Sequence, residues 1–432
     1  TQVDCHQQKF IVQCWASTPY EKLLIIINKV NKNMQKIYLD HSATTPMNEK
    51  VLDAMMPYFT SEFGNATSIH TFGQKASLAV QRARENTALF LNCKASEVVF
   101  TSGATEANNI AILGLIKALQ KNNLGKIHII TSTIEHPAVL ECFQLLEKED
   151  DIEVSYLPVN SKGIVSKDEF EKLIKDNTVF VSMMYVNNET GAVQPILDIA
   201  KTIKKVKEKR KKEGAKFPLY FHTDAVQAAN FFSCDVKDLG VDLMSLSGHK
   251  ISGPKGVGVL FVKDNIVLEP IQFGGHQEKG LRSGTLNVPG IVGIGEALLF
   301  AEDRRKTNSK KVSGLRDMLI EGVTENIPDV VLNGDMDNIS PFHANLGFKG
   351  IEGESILLDL DFEGIAVSTG SACASGALNP SHVLLAMGIR KEDAHGAIRF
   401  TLGSSNTEKE IETVIEKLPK IIKRLRKIAP KN

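Results

Sequence analysis

Between residues 98 and 262, short β-branched and aromatic runs alternate with longer stretches of helical periodicity. That alternation narrows the fold more than any other feature of the chain. The runs cover 98–101, 127–131, 153–157, 179–182, 219–222, 243–245 and 258–262, while 73–92 and 105–120 carry apolar residues at helical spacing. Strands that are apolar almost throughout must be buried on both faces, so helices cover both sides of a mostly parallel sheet. The expected class is therefore α/β, with ligands beyond the carboxyl ends of the strands. After Pro289 the texture changes: a long helical stretch leads to strand candidates at 330–332, 344–348 and 365–368. A last helix follows Thr407, with Glu410 at capping-box spacing. These segments read as a smaller α+β domain of residues 290–432, joined by 34–50, beside a large domain of 51–289.

At 432 residues the chain has ample length for two cores, and 42% hydrophobic with 24% charged residues is ordinary for a soluble globular protein. Lys+Arg and Asp+Glu each number 51, so no global charge points to nucleic acid or an anionic membrane. The apolar run Leu23-Leu-Ile-Ile-Ile27 is far short of a bilayer span. Residues 1–33 lack arginine and resemble neither a signal nor a transit peptide; they read as an appendage or a short regulatory helix. Six cysteines without a CxxC pair suggest neither a disulfide framework nor a zinc site, and a reducing, cytoplasmic setting is expected. The charge run at 201–216 reads as a solvated helix face, with a docking patch for an acidic partner as the alternative.

Several strand-end stretches carry chemistry. Ser245-Leu-Ser-Gly-His-Lys-Ile-Ser-Gly-Pro-Lys-Gly256 sets Lys250 where a lysine can form a Schiff base with an aldehyde cofactor, beside the hydroxyl of Ser247 and the ring of His249. Its glycine turns allow close backbone approach. In Thr101-Ser-Gly-Ala-Thr-Glu-Ala-Asn108 a small-residue turn opens a helix, which suits a phosphate or is simply an N-cap. Asp224, in Phe221-His-Thr-Asp-Ala-Val-Gln227, is either a cap or the partner of a protonated pyridine nitrogen, with Gln227 in reach of a ring hydroxyl. His136, in Glu135-His-Pro-Ala138, can stack on a flat ring, and Asn187-Asn-Glu-Thr-Gly191 offers amide donors. A lysine for an aldehyde, a phosphate cup, a carboxylate for a pyridinium and a stacking ring together describe pyridoxal phosphate.

With these motifs in place, the chain from Met34 to about residue 428 resembles the NifS/IscS-like cysteine desulfurases, class-V aminotransferases of pyridoxal-phosphate fold type I. Further motifs that carry the resemblance are Tyr38-Leu-Asp-His-Ser-Ala-Thr-Thr45, Phe63-Gly-Asn-Ala-Thr-Ser68, Arg282-Ser-Gly-Thr285 and Ser368-Thr-Gly-Ser-Ala-Cys373. The resemblance implies that Lys250 bonds the cofactor aldehyde, Asp224 pairs the ring nitrogen and His136 stacks on the ring. It further implies that Gln227 and Asn188 meet the ring hydroxyl, while Ala104, Thr105, Ser247 and His249 hold the phosphate. Arg399 is implied to bind the substrate carboxylate, as a forked donor suited to that anion. Thr285 is implied to reach the cofactor phosphate of a second subunit, which makes the expected assembly a homodimer.

Cys373 gains its role from the same resemblance. It lies in the small-residue stretch Ser371-Ala-Cys-Ala-Ser-Gly376, which reads as a mobile loop. There the family's cysteine takes sulfur from L-cysteine as a persulfide and passes it to an acceptor, such as an iron–sulfur scaffold protein or a tRNA-thiolation relay. Two rivals stand beside this reading. A selenocysteine lyase would use the same residues, and an inactive docking scaffold for sulfur acceptors would not need Lys250, Asp224 and Cys373 intact.

Overall fold

The computed structural model describes residues 36–369 and 380–428. After a two-residue strand β1 (Ile37–Tyr38), seven strands form one sheet: β2 (Val98–Thr101), β3 (Ile127–Ser132), β4 (Ile152–Leu157), β5 (Thr178–Ser182), β6 (Tyr220–Asp224), β7 (Leu243–Ser247) and β8 (Gly258–Val262). Their order is β2-β8-β7-β6-β5-β3-β4. β8 runs antiparallel to both β2 and β7, and the remaining pairs are parallel. All seven apolar runs expected from the sequence are therefore strands of one sheet. The reason is their burial: every residue of β2, β3, β5 and β7 is buried.

Alternation along each strand sends side chains to two cores. Val98 and Phe100 join the cluster under the helices Thr71–Leu91 and Ile196–Glu213, whereas Val99 faces the cluster under residues 104–120 and the helix Pro137–Leu146. The helix Val288–Asn326 packs on Thr71–Leu91 so closely that a Cβ on Gly295 would stand 2.9 Å from Ala83 Cα. Glycine is required there by contact between backbones.

A third core lies in the C-terminal half. β9 (Val330–Leu332), β10 (His343–Phe348) and β12 (Ala397–Thr401) form an antiparallel sheet in the order β12-β10-β9, and β1 pairs in parallel with β11 (Ile365–Ala366). The helix Glu408–Ile428 buries Ile411, Val414, Leu418, Ile421, Ile422 and Leu425, a 3–4 spacing that forms one apolar stripe. Its start is a capping box: Glu410 N donates to Thr407 Oγ1 at 3.3 Å and Thr407 N to Glu410 Oε2 at 2.9 Å. The helix Val288–Asn326 spans both halves, with Ile291, Ile294 and Leu298 in the large-sheet core and Val312, Leu315 and Leu319 in the C-terminal one. Residue 290 lies in its first turn, so the expected division at 289/290 falls within a continuous helix.

Some local expectations changed. The expected strand at 365–368 shrinks to Ile365–Ala366, while β6 and β7 run on to Asp224 and Ser247. In the charge run, Lys201, Lys204, Lys205 and Lys209 are exposed, as a solvated face requires. Arg210 is buried instead, and its guanidinium donates to the carbonyls of Thr178, Lys175, Phe217 and Pro218. Residues 1–33 lie outside the described residues, and no described helix is long and apolar enough to cross a membrane.

Candidate active site

Because β8 is antiparallel to both of its neighbours, β2 and β7 point the same way, and the carboxyl ends of β2, β3, β5, β6 and β7 share one edge. A cavity of about 550 Å³ opens there. Its lining includes Ala104 and Thr105 after β2, His136 after β3, Asn188 after β5, and Asp224 and Gln227 at the end of β6. Ser247 at the end of β7, with His249 and Lys250 after it, completes that edge, and Arg399 enters from β12 of the C-terminal sheet.

Each group is held in place by a local cause. The turn after β7 is tight: Gly253 N donates to Gly248 O at 3.0 Å, and a Cβ on Gly253 would stand 2.9 Å from that oxygen. It delivers the Lys250 ammonium to the carbonyls of Ser42 at 2.5 Å and Ala43 at 2.7 Å. Asp224 is buried, its Oδ1 accepting from Val226 N at 3.0 Å and its Oδ2 from Asn108 Nδ2 at 2.8 Å. Ala104 and Thr105 occupy the first turn of the helical stretch 104–120, where backbone N–H groups have no acceptor within the helix. His136 caps the helix Pro137–Leu146, its Nδ1 accepting from Ala138 N at 3.1 Å, so the neutral ring carries its proton on Nε2.

Electrostatics keep the imidazoles uncharged. Burial lowers the His136 pKa, Lys250 and His382 push it the same way, and Asp224 opposes them. His249, whose Nδ1 lies 3.2 Å from Thr44 Oγ1, is lowered to about 4 by burial and then by Lys250 and Lys255. Arg399, also buried, spends its fork on Asp40 Oδ1 at 2.9 Å and Asn188 O at 3.0 Å, while its Nε has no hydrogen-bond partner among the described residues.

The chain matches the family description Aminotransferase class-V over residues 37–414. It is 46% identical over 398 residues to the cysteine desulfurase IscS of Clostridium botulinum, covering 92% of this chain and 96% of that one. A cysteine desulfurase of Nostoc sp. is 46% identical over 397 residues, with 92% and 95% covered. The chain belongs to the cysteine desulfurase family. Among solved structures, a NifS-like protein superposes with a TM-score of 0.82 at 35% identity, covering 90% of this chain and all of that one. SspA in complex with cysteine superposes at 0.71 with 34% identity over 86% of this chain and all of that one.

Cysteine desulfurases work with pyridoxal 5'-phosphate, and the cavity fits that group. A buried carboxylate at a strand end, an amine on a turn, and hydroxyl, imidazole and helix-start N–H donors supply one complement for each polar end of the cofactor. The buried Asn108 Oδ1 has no partner among the described residues. Of the expected residues that are described, Thr285 stands apart from this cluster. Thr285 is exposed and outside the cavity lining, and Cys373 lies outside the described residues.

Asn108 was not singled out from the sequence, although it lies four residues after Ala104 and so shares its helix face, a spacing that could have found it. Asp40 gave no comparable signal. It meets Arg399 across 359 positions, and a backbone bridge between Asp40 and Thr401 of β12 brings the two together.

Proposed function

We propose that this cysteine desulfurase converts L-cysteine to L-alanine and carries the sulfur away on Cys373. The observation that carries this reading is one cavity that gathers Lys250, Asp224, His136 and Arg399. In balance, L-cysteine and the Cys373 thiol give L-alanine and a Cys373 persulfide. The substrate C–S bond breaks, an S–S bond forms, and the carbon keeps the electron pair and takes up a proton.

Lys250 would hold the cofactor aldehyde, Asp224 the ring nitrogen, and Ala104, Thr105, Ser247 and His249 the phosphate. Asn188 and Gln227 would face the ring hydroxyl; Gln227 Nε2 now donates to Ser42 O at 3.1 Å. When bound, pyridoxal phosphate supplies an electron sink for the pair left at the substrate α-carbon. Arg399 binds the substrate carboxylate and turns the α-C–H toward Lys250, which takes that proton at Nζ. His136, which lines the cavity, would face the ring and move a proton at Nε2. The thiolate of Cys373 then attacks the substrate sulfur. Burial raises the thiols of Cys93, Cys142 and Cys234 to about 12, 11 and 12, so none of these is a thiolate at neutral pH, and none lines the cavity.

The same reading takes the protein as a homodimer in a reducing, cytoplasmic compartment, with Thr285 reaching the partner's cofactor phosphate and a sulfur-acceptor or iron–sulfur scaffold protein downstream. Exposed apolar side chains support an assembly: Phe59, Phe63, Ile69, Phe72 and Phe273 are 57, 66, 91, 52 and 81% exposed. Replacing Cys373 by Ser tests the central claim. Cofactor colour should persist while alanine release from cysteine stops; alanine release at the wild-type rate overturns the role of Cys373.

A further inference from the structure

The stretch that bears Cys373 re-enters the described structure at Pro380, and what receives it there belongs to the active-site loops. Ser381 is buried and its hydroxyl has two partners. It donates to Glu189 Oε2 at 2.5 Å and accepts from Leu384 N at 3.2 Å, which caps the short helix His382–Ala386. Next along the chain, His382 Nε2 lies 3.0 Å from the backbone oxygen of Glu135, the residue before His136. Val383, Leu384 and Met387 then pack with Ile134 and Met184, which follow β3 and β5. The C-terminal root of the Cys373 stretch thus stands on the two loops that carry His136 and Asn188.

Glu189 is the unusual member of this set. Its carboxyl is almost wholly buried, which raises its pKa to about 7, while the Ser381 hydroxyl and the nearby Arg399 act in the opposite direction. A buried carboxyl is retained at a cost unless its partners are built in. Its own loop is rigid: Glu189 N and Thr190 N both donate to Asn187 Oδ1 at 2.9 Å, and Asn345 Nδ2 donates to Glu189 O at 3.2 Å. One residue earlier, the Asn188 carbonyl accepts from Arg399, Ser42 and His343. Residues 187–190 therefore join the substrate-carboxylate arginine to the root of the cysteine-bearing stretch.

We propose that Glu189 and Ser381 are positioning residues for sulfur transfer, fixing the C-terminal root of the Cys373 stretch relative to Arg399 and His136. Neither touches the reacting atoms. The inference rests on the desulfurase reading above and assigns to the Glu189–Ser381 contact the accuracy with which the acceptor thiol meets the substrate sulfur. An attacking group displaced by a fraction of its bond-forming distance loses much of its rate, even though the substrate is bound as before.

The test compares the wild-type holoenzyme with Ser381→Ala, Glu189→Leu and the conservative Ser381→Thr. Three quantities are read: the absorbance change on adding cysteine, the single-turnover rate at which mass spectrometry finds an extra sulfur on Cys373, and hydrogen exchange of the 382–387 amides. Ser381→Ala and Glu189→Leu should keep the absorbance change at unaltered cysteine concentration, speed exchange at 382–387, and slow sulfur capture about tenfold. Ser381→Thr should restore both exchange and capture. Capture within twofold of wild type in both disrupting variants overturns the inference, as does a loss of cysteine binding that accounts for the whole rate loss. If the wild-type protein itself places no sulfur on Cys373, the desulfurase reading has failed instead, and the two failures are distinguishable.

Discussion

Asp40 shows what a single side chain does in this site without facing the substrate. It is the charged partner of Arg399, at 2.9 Å, and with the Asn188 carbonyl it fixes the plane of a guanidinium buried to 2% exposure. A charge-assisted bond to a buried fork decides orientation as well as energy. Asp40→Asn keeps the shape and removes the charge, so KM for cysteine should rise about tenfold, with kcat changed less and cofactor content unchanged. Steady-state kinetics beside the cofactor absorbance check it. Asn108 stands in the same relation to Asp224, through its 2.8 Å bond to Oδ2. Asn108→Leu should leave that carboxylate oxygen without its donor and weaken retention of pyridoxal phosphate about tenfold, read by equilibrium dialysis. The strand-end residues that meet in the cavity were legible in the sequence because lysine, aspartate and histidine after β-rich runs have few other uses together. The residues that aim them were not, since the contacts of Asp40 with Arg399 and of Lys250 with Ser42 span 359 and 208 positions.

At the level of elements, sequence rhythm was informative wherever burial alone decides conformation. β2, β5 and β8 are apolar runs that the large sheet buries, and they stand where period and composition set them. β12 escaped notice because Arg399 sits at its centre, and a charged residue in a buried strand breaks the apolar pattern used to find it. β1 is two residues long and takes its conformation from its parallel partner β11, so nothing local announces it. The capping box of the last helix was legible because both of its bonds are local, Thr407 to Glu410 and back. Thr407→Ala should lower stability by about 1 kcal/mol, seen as a reduced urea midpoint with unchanged slope, and should leave cysteine turnover intact. A turnover loss larger than the stability loss explains would place the helix start in the catalytic machinery.

Across the whole molecule, the two halves are joined by the helix Val288–Asn326 and by polar contacts that bury carboxyls beside the cavity. Within the large-sheet half, Glu135, next to His136, is a more extreme buried carboxyl. It is fully buried, its Oε1 accepts from Ser132 Oγ at 2.5 Å and Met184 N at 2.9 Å, and its Oε2 has no partner among the described residues. Burial raises its pKa from 4.5 to about 8 against those two hydrogen bonds, with Asp224 adding to the rise. The native state then holds a proton that the unfolded chain releases above pH 4.5, so stability falls as pH rises from 4.5 toward 8. Glu189, raised to about 7, acts in the same direction over the lower part of that window. Glu135→Gln removes the ionisation and keeps an acceptor for Ser132 and Met184. It should be close to neutral at pH 5 and stabilising by roughly 3 kcal/mol at pH 7, measured by urea unfolding of the holoenzyme across that range. Parallel wild-type and variant profiles would mean that Glu135 is ionised in the native state. The buried carboxyl behind His136 would then be a permanent negative charge facing Asp224.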